Sequence, residues 1–169
     1  MSEMNDVTQN LRAQLKGAHD WLEGTLQGVS DEVANAVPAG KVATIGANYA
    51  HVVTFEDFVF NGALKGGAPL MMNGSAGISA PPPMGGWGEW GHSVKVKFAE
   101  QQSYAQKVYA SGDAYLASLK DADLAREVDL QFTKMPLGQL LGLLILNAFV
   151  HSGEISCLKG LNGMQGYPQ

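Results

Sequence analysis

With a single cysteine, Cys157, the chain can form no disulfide within itself and no cysteine-rich metal site. That usage fits a reducing, cytoplasmic setting. Positive charge is scarce too: eleven lysines and arginines stand against sixteen acids, for a net charge of -5, and the longest basic cluster is Lys95 with Lys97. Such a balance leaves no electrostatic footprint for nucleic acid. Charged residues of both signs make up only 16%, against a typical figure of about 25%, while 46% hydrophobic residues exclude wholesale disorder. The acidic start, Met1 to Asp6, lacks the basic and apolar regions of a secretory signal. The longest apolar stretch, Leu137 to Val150, is interrupted by Gln139 and Asn147 and falls short of the ~20 residues that cross a bilayer. It reads as a core helix, and no membrane partner is expected. Gly85-Gly86-Trp87-Gly88 follows no plausible strand, and no Gly-x-Ser-x-Gly elbow is present, so nucleotide-loop and serine-hydrolase chemistry have no anchor.

What is present is helical periodicity. The 169 residues suit one domain, 1–169. Val7, Leu11, Leu15, Ala18, Leu22, Leu26 and Val29 draw one stripe along a first helix. Ser30 to Pro38 is a connector that starts on an N-capping serine. A second helix is expected over Val42 to Leu64 and a third over Glu89 to Leu119, with Gly112 as a point of bending. Residues 122–133 alternate loosely and suit extended chain. Thr133 and Pro136 mark the start of a fourth helix, Leu137 to Leu161, the most apolar and therefore central. The expected class is all-α, a four-helix bundle with a long crossover between helices two and three.

That crossover, Gly62 to Gly91, holds nine of the 21 glycines and four of the seven prolines. So long a segment without regular structure is either a lid or pocket wall, or a plain crossover. Leu70-Met71-Met72 and the pair Trp87 and Trp90 argue for partial docking.

Polar side chains inside an apolar helix mark candidate chemistry. Asn147 and His151 lie at i and i+4 on one face of the fourth helix, where an unpartnered amide or imidazole costs roughly 1–3 kcal/mol to bury. His51 on the second helix is the expected partner, if those helices face each other. Two imidazoles and an amide oxygen suit Zn²⁺ or Ni²⁺; equally, each histidine can be a satisfied core residue. Glu154 serves as a further ligand, an acceptor that orients an imidazole, or a base. His92 is the spare donor, and His19 reads as a surface or packing residue. Glu56 and Asp57 suit a solvated edge, an anchor for a loop or an interface, and Cys157 a small buried hydrophobe.

The segments Ile45-Gly-Ala-Asn-Tyr-Ala-His51-Val-Val-Thr-Phe-Glu56-Asp57 and His151-Ser-Gly-Glu154-Ile, the latter running on to Pro168, resemble the DinB/YfiT-like superfamily. The resemblance implies an up-down-down-up four-helix bundle, a homodimer, and a zinc or nickel ion on three histidines. His51 and His151 match two of those positions, and Asn147 stands where the third histidine would be. It further implies a metal-dependent enzyme that acts on a small-molecule substrate, of the kind that transfers or isomerises with a low-molecular-weight thiol such as mycothiol or bacillithiol. The alternative is a bundle that has lost a ligand and binds a small molecule or serves as a dimeric scaffold.

Overall fold

The computed structural model describes residues 6–168 apart from 75, 84, 85 and 87, so Trp87 lies outside the described residues. Helix α1 (Asp6–Thr25) turns Leu15, Ala18 and Leu22 inward, as its stripe requires. Its first turn is tied down by Asp121, which accepts from the Thr8 amide at 2.8 Å and the Thr8 hydroxyl at 2.7 Å. At the other end, the buried Lys159 ammonium donates to the carbonyls of Thr25 at 2.6 Å and Gln27 at 2.8 Å. A cation there meets the negative end of the helix dipole and satisfies carbonyls that have no helical partner. The short α2 (Asp31–Ala34) begins where Ser30 accepts from the Val33 amide.

Helix α3 (Ile45–Asp57) starts three residues after the expected Val42, because the Thr44 hydroxyl accepts from the Ala47 amide and caps it. It continues as a π-helical segment, Phe58–Leu64, to the expected end. The largest departure lies before the third long helix. Instead of starting at Glu89, the chain makes one short helix, α4 (Trp90–Ser93), then runs extended, with Val96 bridged to Ile78, before α5 (Phe98–Ala117) begins. Asp31 sets that start by accepting from the Phe98 amide at 2.7 Å. Gly112 lies within the unbroken run of α5. A Cβ there would lie 2.8 Å from the Phe60 ring, so the glycine serves a close approach between helices.

After a 3₁₀ turn at Asp121–Ala125, β1 (Glu127–Asp129) and β2 (Lys134–Pro136) pair antiparallel, with Val128 opposite Met135. The turn between them carries Gln131 at φ 71. Thr133 is therefore part of a hairpin and not a helix cap. Pro136 leads directly into α6 (Leu137–Leu161), whose bounds are those expected.

The protein is mostly helical. α6 packs against α1 and α3, and α5 packs against the same two. Leu137, Leu140, Leu141, Leu144, Ala148 and Ile155 of α6 are buried, while Leu146, Phe149 and Val150 lie on its outer face at 45% exposure or more. By length and composition α6 is the one helix among the described residues able to cross a membrane, and a core helix meets the same test.

The segment between α3 and α4 is tied down at several points. The fully buried Asp57 carboxylate accepts from the amides of Leu70 at 2.8 Å and Met71 at 2.9 Å and from the Tyr104 hydroxyl at 2.6 Å. Asp57 is thus the loop anchor among the three readings open to it. Gly77, at φ 70, lies so close to α5 that a Cβ would meet the Gln101 backbone nitrogen at 2.4 Å. The Trp90 indole donates to Ala80 O at 3.0 Å. Leu70 and Met71 pack on the core, whereas Met72 is exposed.

Candidate functional site

Where α3 crosses α6, two polar pairs meet. Asn48 and His51 stand one turn apart on α3, and Asn147 and His151 one turn apart on α6. The His51 and His151 rings converge edge to face, with centroids 4.9 Å apart and planes at 70°. His151 is fixed by two acceptors at Nδ1, Asn48 Oδ1 at 3.0 Å and Glu154 Oε2 at 2.7 Å. Two acceptors on one ring nitrogen place a hydrogen there, which fixes the orientation of the ring. Glu154 is the orienting acceptor, half-exposed at the rim.

His51 is held neutral. Burial first, and then the positive charge that His151 can carry, push its pKa down to about 4, with a hydrogen bond to Asn147 opposing them. A neutral imidazole is what a divalent cation requires of a nitrogen ligand. The Asn147 Nδ2 is buried with no hydrogen-bond partner. Turning that amide over would present an oxygen at the same place, an acceptor that a cation satisfies. Among the described residues no group of three or more His, Cys, Asp or Glu side chains is placed to hold an ion. The donor set that fits a divalent metal is therefore two nitrogens and one amide, fewer strong donors than three imidazoles would give.

A cleft of about 290 Å³ opens beside this crossing, lined by Lys41, Val42, Ala43, Asn48, Gly88 and Glu154. Gly88 brings the long segment to the cleft as part of its wall. His92, the spare donor, is engaged elsewhere: its Nε2 lies 2.7 Å from Val42 O, a clasp between α4 and the approach to α3. Cys157 is exposed on α6 and not the buried hydrophobe expected, because six residues from His151 turn it to the outer face.

The profile of the DinB superfamily matches residues 14–155. The chain belongs to the DinB superfamily. A crystal structure of a conserved protein from Enterococcus faecalis superposes with a TM-score of 0.73 at 21% identity, covering 92% of this chain and 96% of that one. The crystal structure of a DinB-like protein from Bacillus cereus ATCC 10987 gives 0.60 at 18% identity, covering 98% and 97%. These likenesses concern the fold. None of the curated proteins matches the chain.

This DinB superfamily chain holds a second polar cluster that spacing did not reveal. Of the two readings of His19, surface or packing, it is the packing one, with a charged partner that spacing did not show. It is buried, and its Nε2 lies 3.0 and 2.8 Å from the two oxygens of Glu56, itself fully enclosed. The ring stacks on Tyr109 at 3.8 Å. Beside it, Glu23 Oε1 accepts from the hydroxyls of Tyr49 at 2.6 Å and Tyr109 at 3.0 Å. Burial, reinforced by nearby negative charge, holds both phenols well above their ordinary range, so they remain donors. Asn48 was also missed, although its i, i+3 spacing from His51 on an apolar helix is the signal that would have found it.

Proposed function

We propose that this protein is a divalent-metal-dependent enzyme built on an up-down-down-up four-helix bundle, with His51, His151 and Asn147 holding zinc or nickel. The carrying observation is the convergence of two imidazoles from helices far apart in sequence beside an amide whose buried nitrogen has no partner. A bound divalent ion would supply Lewis acidity, which deprotonates a thiol near neutral pH. That chemistry suits S-transfer or isomerisation of a small-molecule substrate with a low-molecular-weight thiol. Within the chain, Asn48 and Glu154 orient His151, and Glu154, on the rim of the cleft, would take up a proton from a substrate seated there. The long segment that contributes Gly88 walls the cleft. The setting is cytoplasmic.

Metal analysis of protein purified without a polyhistidine tag tests this reading. Stoichiometric zinc or nickel, lost in His51→Ala, is the expected result. A metal content near zero in the wild type would leave the second reading, a bundle of the same fold that binds a small molecule without catalysis. Asn147 favours that reading, since an amide is a weak ligand for a borderline metal.

A homodimer is the proposed assembly. Its support is the outer face of α6, where Leu143, Leu146, Phe149, Val150 and Leu161 are exposed on a helix already apolar inside. Sedimentation should give a species of twice the chain mass; only ~18 kDa species would exclude it.

A further inference from the structure

A second, roomier cleft lies away from the paired imidazoles. A cleft of about 620 Å³ opens between α1 and α5, bordered by Arg12, His19, Glu23, Tyr109, Ala110 and Asp113. It shares no residue with the α3–α6 crossing. Its volume falls in the range that takes small organic molecules. Its back is the His19, Glu56, Tyr109 and Glu23 cluster, an expensive set of groups to enclose where apolar side chains would pack as well.

Charge within the cleft is unevenly matched. At the mouth, Arg12 donates to Asp113 through two bonds, at 2.6 and 2.7 Å, and Lys16 pairs with Asp20 at 2.6 Å, so both cations are engaged. Deeper in, Glu23 meets only two neutral phenols, and both bond to the same oxygen, Oε1. Its Oε2 takes no hydrogen bond among the described residues, and it is not enclosed. His19 repeats the pattern: Nε2 is engaged by Glu56, while Nδ1 has no partner among the described residues and is open to the cleft. Ala13, Ala110, Leu15 and Leu116 supply apolar wall.

We propose that the α1–α5 cleft is a second binding site, which takes a small organic cation: a primary ammonium on an apolar body, held by Glu23 Oε2. An ammonium carries three donors and the positive charge that Glu23 lacks, and its body lies along the alanine and leucine wall beside Tyr109. A carboxylate ligand of the same shape would face Glu23 with like charge. The site stands independently of any metal at His51 and His151.

The test uses the full chain with phenethylamine as probe and phenylacetate as the control of opposite charge, followed by calorimetry and by amide shifts in a ¹⁵N spectrum. The amine should bind saturably in the millimolar range or tighter, shifting amides of α1 and α5, with phenylacetate at least about tenfold weaker. Glu23→Gln, which keeps an oxygen for the two phenols, should weaken the amine by a similar factor. Ala110→Trp, at an exposed position outside the buried cluster, should block it without disturbing the fold, and decides the matter if Glu23→Gln fails to fold. Equal affinity for both probes, no saturable binding of the amine, or binding that survives Ala110→Trp would overturn the proposal.

Discussion

Two histidine–glutamate pairs in this protein have the same chemistry and opposite construction. His151 and Glu154 sit three residues apart on one helix, with Glu154 46% exposed at its side chain, and they meet wherever α6 is helical. His19 and Glu56 are 37 residues apart, on α1 and α3, and the Glu56 carboxylate has no exposure at all. The first pair is a local device that orients a ring at a rim. The second exists only once two helices have packed, and it fastens them. A carboxylate shared with water and one removed from it therefore answer to different energetics, although both accept from an imidazole.

Truncating the two carboxylates measures that difference. Glu56→Ala removes the partner of a buried imidazole and opens a void in the core, and should destabilise the fold by about 3–5 kcal/mol. Glu154→Ala, at the rim, should cost under about 1 kcal/mol. Urea unfolding of both variants, read at constant m-value, supplies the comparison. Similar losses for both would mean that the buried pair fastens nothing.

The same contrast explains what the sequence made legible. α1 and α6 were readable because a long amphipathic or apolar stripe needs only its own spacing. His51, Asn147 and His151 were readable because each is a polar residue on an otherwise apolar helix, and their meeting required only that α3 and α6 face each other. Residues 94–97 differ from the expected helix because Val94 fits a helical stripe with Phe98 at i+4 as well as it fits a strand. What decides them is Asn35, which brackets Val96 with two bonds of 2.9 Å, and Asp31, which caps Phe98. Those contacts span more than sixty residues. Glu56 and Asp57 were read as a solvated edge among other options because adjacent acids usually are. Their enclosure depends on partners from α1, α5 and the segment after α3, none of them marked by local pattern.

The smaller expected effect is one of pH, and it belongs to the α3–α6 crossing. His51 is held at about 4 in the folded protein, against an ordinary value near 6.5, mainly by burial. The unfolded chain therefore takes up a proton at a higher pH than the folded one. This contribution to stability is complete above about pH 6.5, falls as pH drops through that value, and is gone near pH 4. Its size is at most about 3 kcal/mol, and less to the extent that water reaches the half-buried ring. Chemical denaturation across pH 4 to 7 should show a steeper loss in the wild type than in His51→Gln, which keeps a polar side chain but cannot take up the proton. Parallel profiles would mean that the His51 ring is as free to protonate in the folded protein as in water, and that neutral imidazoles at this crossing are not built in by packing.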